Sequence, residues 1–361
     1  MFQPTELPIL FQKYPYLRKQ IAWLPLGQLP TPVHRLTHLG HELGVDSLWI
    51  KRDDLSGLLG GGNKVRKLEY LLADARQKGY ETLFTAGPKG SNHVRATIEY
   101  GKAVGFRCHC LLFDQPQSEF SETNFQQIRM RADRVHTTSS RAAFIARYGQ
   151  ETFIQFTKLH RNRYFLPPGG SSPIGCIGYV NAAFELKAQI DAGVLLEPTL
   201  IFVALGTCGT MAGLIVGAKL AGLKSRIIGV RVVDRIVANV WSVARLARKT
   251  LKLIRVPLGE MLNRTSHRVK KIKAREIEIW GRDFGRGYAI PTEASLHAIQ
   301  IMQEYEGIRL ESTYTGKTLA GLIHCVKAQG YEKQPILFWN TYGHAGEISN
   351  RDQAVVPATD Q

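Results

Sequence analysis

The most informative stretch of the chain is Gly61-Gly62-Asn63-Lys64-Val65-Arg66-Lys67-Leu68-Glu69-Tyr70. Its glycines let the backbone adopt positive φ and approach a ligand closely. Apolar residues then recur at helical spacing, which predicts that Lys64 begins an amphipathic helix. The charges of Arg66 and Lys67 disfavour a protonated ammonium nearby, which would leave Lys64 a nucleophilic amine. A solvated basic helix start without a ligand is the alternative.

Short apolar runs alternate with helical patterns along the chain. The runs predicted as buried strands cover residues 48–50, 82–86, 108–113, 199–205, 227–233 and 336–339. Helical patterns cover residues 64–78, 91–104, 210–223 and 293–306. Alternating strands and helices predict an α/β fold. The proline- and glycine-rich residues 167–173 are predicted either to cross between two lobes or to form a plain surface loop.

The composition is that of a globular protein. The chain has 361 residues, of which 44% are hydrophobic and 21% charged, enough for two lobes with cores of their own. Its first 23 residues hold no continuous apolar run, so we expect neither a secretory signal nor a membrane span, and a cytoplasmic location. The five cysteines are widely spaced and odd in number, which argues against disulfides and a structural zinc site. No metal is predicted.

The net charge of +17 raises the question of a nucleic-acid partner. Much of the excess falls between residues 245 and 275, where basic residues are interleaved with apolar ones. This pattern predicts helices with one face on a core and the other in solvent. The sequence contains no recognised nucleic-acid-binding module and no repeated aromatic platform. We therefore expect no nucleic-acid partner.

Two further glycine-containing loops follow predicted strands and open predicted helices. In the loop of residues 87–93, Ser91 is placed to cap a helix whose free N–H groups could hold a carboxylate. The second loop is Gly206-Thr207-Cys208-Gly209-Thr210, whose amides and hydroxyls suit a phosphate. Either loop alone could also be turn geometry without a ligand.

A lysine, a phosphate cradle and a carboxylate cradle together suit pyridoxal-phosphate catalysis on an amino acid. In that chemistry, Lys64 would hold the cofactor as a Schiff base, release it to the substrate amine and then act as a base. The cofactor ring would store the electrons of the resulting carbanion. We therefore predict pyridoxal 5′-phosphate as the cofactor and a small amino acid as the substrate.

Four motifs, in this order along the chain, carry a family resemblance. They are residues 61–70, Ser91-Asn92-His93-Val94-Arg95, Pro167-Pro168-Gly169-Gly170-Ser171 and Tyr314-Thr315-Gly316-Lys317. Over about residues 29–343, the chain resembles the family of D-cysteine desulfhydrase and 1-aminocyclopropane-1-carboxylate (ACC) deaminase. The resemblance implies a type II pyridoxal-phosphate fold, similar to the tryptophan synthase β subunit, with the cofactor between two open α/β lobes. The large lobe would take residues 1–65 and 179–361, and the small lobe residues 66–178.

The resemblance also implies roles for individual residues. Lys64 resembles the Schiff-base lysine, and Asn92 the partner of the phenolic oxygen of the cofactor ring. Ser91 resembles a contact for the substrate carboxylate or for proton transfer, and Asn92 and His93 are expected beside the substrate. The loop from Gly206 to Thr210 resembles the one that binds the cofactor phosphate.

On the other side of the expected site, Tyr288 and Tyr314 resemble the family's pair of active-site tyrosines. A phenol can orient a substrate or transfer a proton if cationic neighbours lower its pKa. Thr315 stands where ring-opening deaminases carry a glutamate that faces the pyridine nitrogen and where desulfhydrase-like members carry threonine. A carboxylate there strengthens the electron sink, whereas threonine suits β-elimination of a good leaving group such as sulfide. Thr341 is expected near the cofactor ring.

Three positions depart from the family pattern. Gly90 replaces a common glutamine, Cys208 replaces a glycine of the phosphate loop, and Asn340-Thr341-Tyr342-Gly343 replaces His-Thr-Gly-Gly. Backbone amides can still bind phosphate in the second case. The first and third departures change the shape of the expected pocket, so the substrate of this chain can differ from those of its family.

The sequence therefore predicts a lyase that carries out α,β-elimination on D-cysteine or a related β-substituted amino acid. The products would be a 2-oxo acid, ammonia and the leaving group. Ring-opening deamination of ACC remains an alternative, as does another elimination, deamination or racemisation in the same fold. A cofactor-binding protein without turnover and a basic nucleic-acid-binding protein are the alternatives outside catalysis. A homodimer is the assembly that we consider for this chain.

Overall fold

Two β-sheets organise the fold in the computed structural model, which describes residues 6–156, 163–255 and 272–343. The larger sheet has six strands. In spatial order they are β1 (Val33–Arg35), β2 (Leu48–Arg52), β10 (Ile336–Asn340), β7 (Leu200–Leu205), β8 (Arg226–Arg231) and β9 (Glu278–Trp280). The smaller sheet has four strands. In spatial order they are β5 (Arg134–Thr138), β4 (Arg107–Phe113), β3 (Thr82–Pro88) and β6 (Arg163–Leu166).

Helices connect and cover the strands. In the described part of the chain they are α1 (Ile9–Lys13), α2 (Thr37–Leu43), α3 (Lys64–Gln77), α4 (Asn92–Ala103), α5 (Glu119–Arg131), α6 (Arg141–Phe156), α7 (Pro173–Asp191), α8 (Gly209–Ala221), α9 (Val240–Arg255), α10 (Glu293–Glu306) and α11 (Thr315–Gln329). No helix among the described residues combines the length and the apolar character needed to cross a bilayer.

Parallel pairing explains why the central strands have continuous apolar sequences. Among the described strands, only β1 pairs antiparallel, with Val33 opposite Lys51 of β2. Parallel strands need helical crossovers, which bury both faces of a sheet. Accordingly, every residue of β10 is buried. The α/β fold predicted from the sequence is confirmed.

The structure contains all six predicted strands and four that the sequence did not predict. The unpredicted strands are β1, β5, β6 and β9, and each lies at the edge of its sheet. β1 and β9 have three residues each, and most residues of β5 are exposed. An edge strand is covered on fewer sides and lacks a continuous apolar run, so its sequence carries a weaker signal.

The two sheets come from different parts of the chain. All strands of the smaller sheet lie between residues 82 and 166, whereas the larger sheet uses residues before 53 and after 199. The predicted lobe boundaries at residues 65/66 and 178/179 fall inside α3 and α7, and this division of the chain remains a prediction.

The basic segment has the surface character expected of it where the structure describes it. On α9, Arg245, Lys249 and Lys252 are exposed, while Val243 and Leu251 on the other face are buried. The predicted solvated face is therefore confirmed for this helix. The rest of the basic run, residues 256–271, lies outside the described residues.

Helix α3 is held in place by a buried ionic network. Arg66 Nη2 lies 2.7 Å from Asp53 Oδ1, and Arg66 Nη1 lies 2.8 Å from Glu185 Oε2. Lys51 also pairs with Glu185. Burial by itself would raise the pKa of Glu185, but the charges of Arg66 and Lys51 lower it to about 2. The first turn of α3, which begins with Lys64, is thereby tied to β2 and α7.

Candidate active site

A cavity of about 590 Å³ lies at the carboxyl ends of strands from both sheets. Its wall includes Pro88 and Phe113, which end β3 and β4, together with Gly206 after β7 and Thr341 after β10. In open α/β sheets this is the edge at which ligands bind. The predicted site residues that line the cavity are Lys64, Ser91, Asn92, His93, Gly206, Thr207, Cys208, Gly209, Thr210, Tyr288, Tyr314 and Thr341.

Lys64 begins α3, as predicted, and its amine lies in this cavity. Its Nζ donates to Asn63 Oδ1 at 2.9 Å, and Asn63 Nδ2 reaches Thr210 Oγ1 at 3.4 Å. Burial holds the pKa of Lys64 well below its usual range, and the charge of Lys67 lowers it further against the opposing effect of Glu311. Arg66, which the sequence suggested as a second cause, is instead engaged by Asp53 and Glu185. The lowered pKa favours the neutral, nucleophilic form of the Lys64 amine.

The glycine-rich loop before α8 is in direct contact with a second glycine-rich loop, which follows β6. Gly209 N–H donates to Ser171 Oγ at 3.2 Å, and the Ser171 and Thr207 hydroxyls lie 2.7 Å apart. A Cβ on Gly169 would lie 2.0 Å from Thr207 Oγ1, so only glycine allows this approach. Pro168 and Gly169 of the stretch 167–173 line the cavity, so this stretch is more than a plain surface loop.

Cys208 adopts a backbone conformation that favours glycine. Its φ is 71°, immediately before α8 begins. The left-handed conformation costs a non-glycine residue about 1–2 kcal/mol, which explains why the family pattern has glycine here. Cys208 adopts this conformation despite its side chain, and it lines the cavity together with Gly209 and Thr210 at the start of α8.

Lys67 is a cavity residue whose function the sequence interpretation missed. Its Nζ donates to Gly169 O at 3.0 Å and would lie 2.9 Å from a Cβ on Gly209. Burial lowers the pKa of Lys67 to about 8, so near neutral pH most of this residue carries its charge. Its spacing of three residues from Lys64 puts both lysines on the same face of α3, which was the available signal.

The amino end of α4 forms the opposite wall. Ser91 Oγ accepts from Val94 N–H at 3.3 Å, which confirms the predicted cap. The side chain of Asn92 lines the cavity and is held by Asn124, whose Nδ2 donates to Asn92 Oδ1 at 3.1 Å. The free N–H groups of this helix start favour an anion.

His93 supports the loops as well as lining the cavity. Its Nε2 accepts from Gly170 N–H at 3.1 Å and lies 3.2 Å from the hydroxyl oxygen of Thr85. Burial, followed by the charges of Lys64 and Lys67, holds the pKa of His93 well below its usual range. His93 is therefore neutral at physiological pH, and its ring ties α4 to the loop after β6.

The two predicted tyrosines are in direct contact. The hydroxyl oxygens of Tyr288 and Tyr314 lie 2.7 Å apart. Burial raises the pKa of Tyr288 to about 12 and the pKa of Tyr314 well above its usual value. The condition for proton transfer, a pKa lowered by cationic neighbours, is therefore not met, because burial dominates. Lys317 donates to the carbonyls of Phe284 and Gly287 at 2.8 and 3.0 Å. Both phenols are neutral hydrogen-bond donors.

Glu311 is a second residue that the sequence interpretation missed. It lines the cavity and accepts from the backbone N–H groups of Thr313, Tyr314 and Thr315 at 2.7, 2.8 and 2.7 Å. It therefore caps α11. Burial raises the pKa of Glu311, and the three N–H groups oppose that rise. A glutamate four residues before a helix was the available signal.

Thr315 is buried beside Glu311, and it is the one predicted site residue that is not among those lining the cavity. Its hydroxyl lies 3.2 Å from Glu311 Oε1. The predicted position of Thr315 near the cofactor nitrogen remains a prediction.

Tyr342 stands where the family pattern has glycine, and its large side chain changes the shape of the cavity as expected. Its side chain lines the cavity beside Thr341, and its ring centroid lies 6.0 Å from that of Phe120. A Cβ on Gly62 would lie 2.1 Å from Tyr342 O, so the turn before Lys64 requires glycine here. The end of β10 and the start of α3 therefore pack directly together.

These groups fit a phosphorylated aldehyde. A neutral lysine amine reacts with an aldehyde, and small residues at the start of α8 leave backbone N–H groups for a phosphate. Lys67 adds a positive charge beside them. Beyond Lys64, the amino end of α4 can take a second anion. The cavity thus offers separate places for a phosphate, an aldehyde and a carboxylate.

Comparisons with known proteins agree with this chemistry. The sequence model of a family described as "Pyridoxal-phosphate dependent enzyme" matches residues 24–341. D-cysteine desulfhydrases of Klebsiella pneumoniae (strain 342) and Salmonella newport (strain SL254) are 33% and 34% identical to this chain over 325 and 326 residues, which is 89% of this chain and 93% of each relative.

Solved structures give the same fold. The crystal structure of an ACC deaminase homologue matches with a TM-score of 0.75 and 29% identity, and the match covers 94% of this chain and 96% of that one. An L-serine ammonia-lyase from the fungus Rhizomucor miehei matches with a TM-score of 0.57 and 18% identity, over 91% of this chain and 98% of that one.

Proposed function

The chain belongs to the pyridoxal-phosphate-dependent enzymes, and from that premise we propose that it carries out α,β-elimination on D-cysteine or a closely related β-substituted amino acid. The products are a 2-oxo acid, ammonia and the leaving group. One observation carries the proposal: Lys64, whose pKa burial lowers, lines one cavity together with the loop from Gly206 to Thr210 and the amino end of α4. The similarity to D-cysteine desulfhydrases supports the choice of substrate.

We propose that Lys64 bonds to the aldehyde carbon of the cofactor. The loop from Gly206 to Thr210 and the amine of Lys67 would bind its phosphate, and Asn92 its phenolic oxygen. Thr341 would lie beside the ring. Bound there, pyridoxal phosphate supplies an electron sink for the negative charge that develops at the α-carbon of the substrate.

The residues of the chain then move and position protons. After the substrate amine has replaced it on the cofactor, Lys64 Nζ would be free to accept the α-proton. Asn63 Oδ1, which accepts from Lys64 Nζ at 2.9 Å, would hold that nitrogen in place. One phenol of the tyrosine pair donates to the other across 2.7 Å, which leaves one O–H to donate a hydrogen bond to the departing sulfur. The raised pKa of Tyr288 and of Tyr314 makes both phenols donors rather than bases.

Product analysis tests the proposed reaction. The purified protein with cofactor is incubated with D-cysteine, L-cysteine, D-serine and ACC, and sulfide, ammonia and 2-oxo acids are quantified. We expect sulfide, ammonia and pyruvate in equal amounts from a cysteine. Release of 2-oxobutanoate and ammonia from ACC, with no sulfide from either cysteine, would instead support the ring-opening alternative.

A phosphate titration tests the position given to Lys67. Lys67→Met should weaken the binding of inorganic phosphate to the cofactor-free protein about tenfold to hundredfold, the usual size of a hydrogen bond to a charged group. Because burial lowers the pKa of Lys67 to about 8, wild-type affinity should hold below that pH and fall above it, by up to about tenfold per unit. Fluorescence titrations at pH 7 and pH 9 measure both effects.

Lys102→Met is the matched control for this titration. Lys102 is a partly exposed lysine that pairs with Asp133 away from the cavity. If Lys67→Met and Lys102→Met bind phosphate equally well, Lys67 does not bind the phosphate.

We also propose a cytoplasmic enzyme without a nucleic-acid partner, which assembles as a homodimer. The five cysteines are buried and free, which suits a reducing compartment. Light scattering on the purified protein measures its mass in solution. Binding of duplex DNA that resists physiological salt would contradict the view that the basic face of α9 is only solvated.

A further inference from the structure

Position 90, beside the amino end of α4, has no room for a side chain. A Cβ on Gly90 would lie 2.5 Å from Ser121 Cβ and 2.7 Å from both Ser121 Cα and Gln115 Nε2. Because one of the obstructing atoms belongs to the backbone, a change of rotamer cannot relieve the conflict. The glutamine that is common at this position in the family is therefore excluded here, and Gln115 and Ser121 take up the space.

Gln115 brings a carboxamide to the same part of the cavity from a different strand. It follows β4, is partly buried and lines the cavity. Gly90 N–H donates to Gln115 Oε1 at 3.3 Å, while Gly90 O accepts from Asn124 Nδ2 at 3.0 Å. Both the N–H and the carbonyl of Gly90 are thus hydrogen-bonded to side chains, and the bond from Gly90 N–H fixes the position of the Gln115 carboxamide.

The hydrogen bond from Gly90 also fixes which end of the carboxamide donates. An N–H group can only face an acceptor, so Oε1 points to Gly90 and the amino group of Gln115 carries two N–H donors. Within the described residues, none of the hydrogen bonds given by the structure uses Gln115 Nε2 as its donor. These donors remain for a ligand.

The groups around Gln115 favour an anion as the acceptor for its amino group. Ser91 and Asn92 start α4 next to Gly90, and a helix start carries free N–H groups and a partial positive charge. The nearest carboxylate in sequence, Asp114, pairs with Lys89 at 2.5 Å. A carboxylate of the substrate could therefore accept from Gln115 and from the helix start together.

We propose that Gln115 binds the α-carboxylate of the amino-acid substrate and so positions the α-carbon for proton transfer to Lys64. This rests on the proposed function only in taking an amino acid as the substrate. In this chain the glutamine that makes the contact comes from the loop after β4. The family pattern instead has a glutamine at position 90, just before α4.

The variant Gln115→Glu distinguishes a role of Gln115 in binding the substrate carboxylate from a role in holding the loop at Gly90. The variant keeps an oxygen that can accept from Gly90 N–H, but it loses both N–H donors and adds a negative charge toward the carboxylate. We expect the dissociation constant for alanine, which has no leaving group, to rise about a hundredfold in Gln115→Glu and about tenfold in Gln115→Ala, from the loss of hydrogen bonds to a charged group. Titrations of the cofactor absorbance in the holoenzyme, with both enantiomers, measure these constants.

Three controls make the result specific. Gln117→Ala changes an exposed glutamine of the same loop that does not line the cavity, and it should bind alanine as the wild type does. Ethylamine lacks the carboxylate, so none of the variants should lose affinity for it. The thermal midpoint should not change in Gln115→Glu.

Wild-type affinity for alanine in Gln115→Glu, or an equal loss of affinity for ethylamine, would overturn the proposal. If Gln115→Glu does not fold, Gln115→Ala decides by the same comparison of alanine with ethylamine. Alanine binding requires no elimination, so this result stands even where the product analysis finds no sulfide from cysteine.

Discussion

Lys64→Ala is expected to lose turnover by about a thousandfold or more, because removing a general base of this kind alone costs a factor of about 10²–10⁴ and Lys64 is also the proposed bond to the cofactor. The phosphate cradle does not include the side chain of Lys64, so the variant should still bind inorganic phosphate. The wild type should be yellow and lose its visible absorbance on treatment with borohydride. Peptide mass analysis after that reduction should then find the pyridoxyl group on Lys64.

Lys78→Ala is the matched control for Lys64→Ala, because Lys78 lies at the other end of α3 and pairs with Asp74. It should keep wild-type turnover and the pyridoxyl group on Lys64. A pyridoxyl group on Lys67 of the wild type would show that the assignment of the two lysines is wrong.

Arg66→Met should lower the free energy of unfolding by about 3–5 kcal/mol, the usual cost of removing one partner from a buried ion pair. The change leaves Asp53 and Glu185 buried without their shared cation. Chemical denaturation of the wild type and variant measures the difference. Arg107→Met is the matched control, because its pair with Glu81 is largely exposed and should contribute about 0–1 kcal/mol.

The same comparison should depend on pH. The pKa of Glu185 is lowered from 4.5 to about 2 in the folded protein, so the stability it contributes is present above about pH 4.5 and is lost as the pH falls toward 2. The difference in free energy of unfolding between wild type and Arg66→Met should therefore be largest at pH 7 and begin to shrink below pH 4.5. If this difference in free energy of unfolding stays constant down to pH 3, Glu185 is not the carboxylate that Arg66 stabilises.

The type II pyridoxal-phosphate fold implied by the motifs is confirmed, and the signals that predicted it are local ones. A glycine turn followed by a lysine, a serine before a helix and a run of buried β-branched residues all act within a few positions of the chain. Ser91 caps α4 for this reason, and Lys64 begins α3. The edge strands were missed because their pairing is visible only after the sheet has formed.

The properties that failed to follow from the sequence depend on burial and on partners distant in the chain. The pKa values of Tyr288 and Tyr314 rise because the phenols are enclosed, which no local pattern reveals. Arg66 meets Glu185 across 119 positions, so its neutralisation was not visible beside Lys64. The position of Gln115 at Gly90 likewise requires β3 and β4 to be paired.

The central place of β10 sets an order of assembly during protein synthesis. Of the strands that the structure describes it is the last to be made, yet it pairs with β2 on one side and β7 on the other. The four strands of the smaller sheet are complete once residue 166 has emerged, and domains generally fold as units in the order of synthesis. The larger sheet must wait for residue 340. A nascent or prematurely terminated chain therefore already contains Lys64, the proposed reactive lysine, but cannot complete the cavity around it.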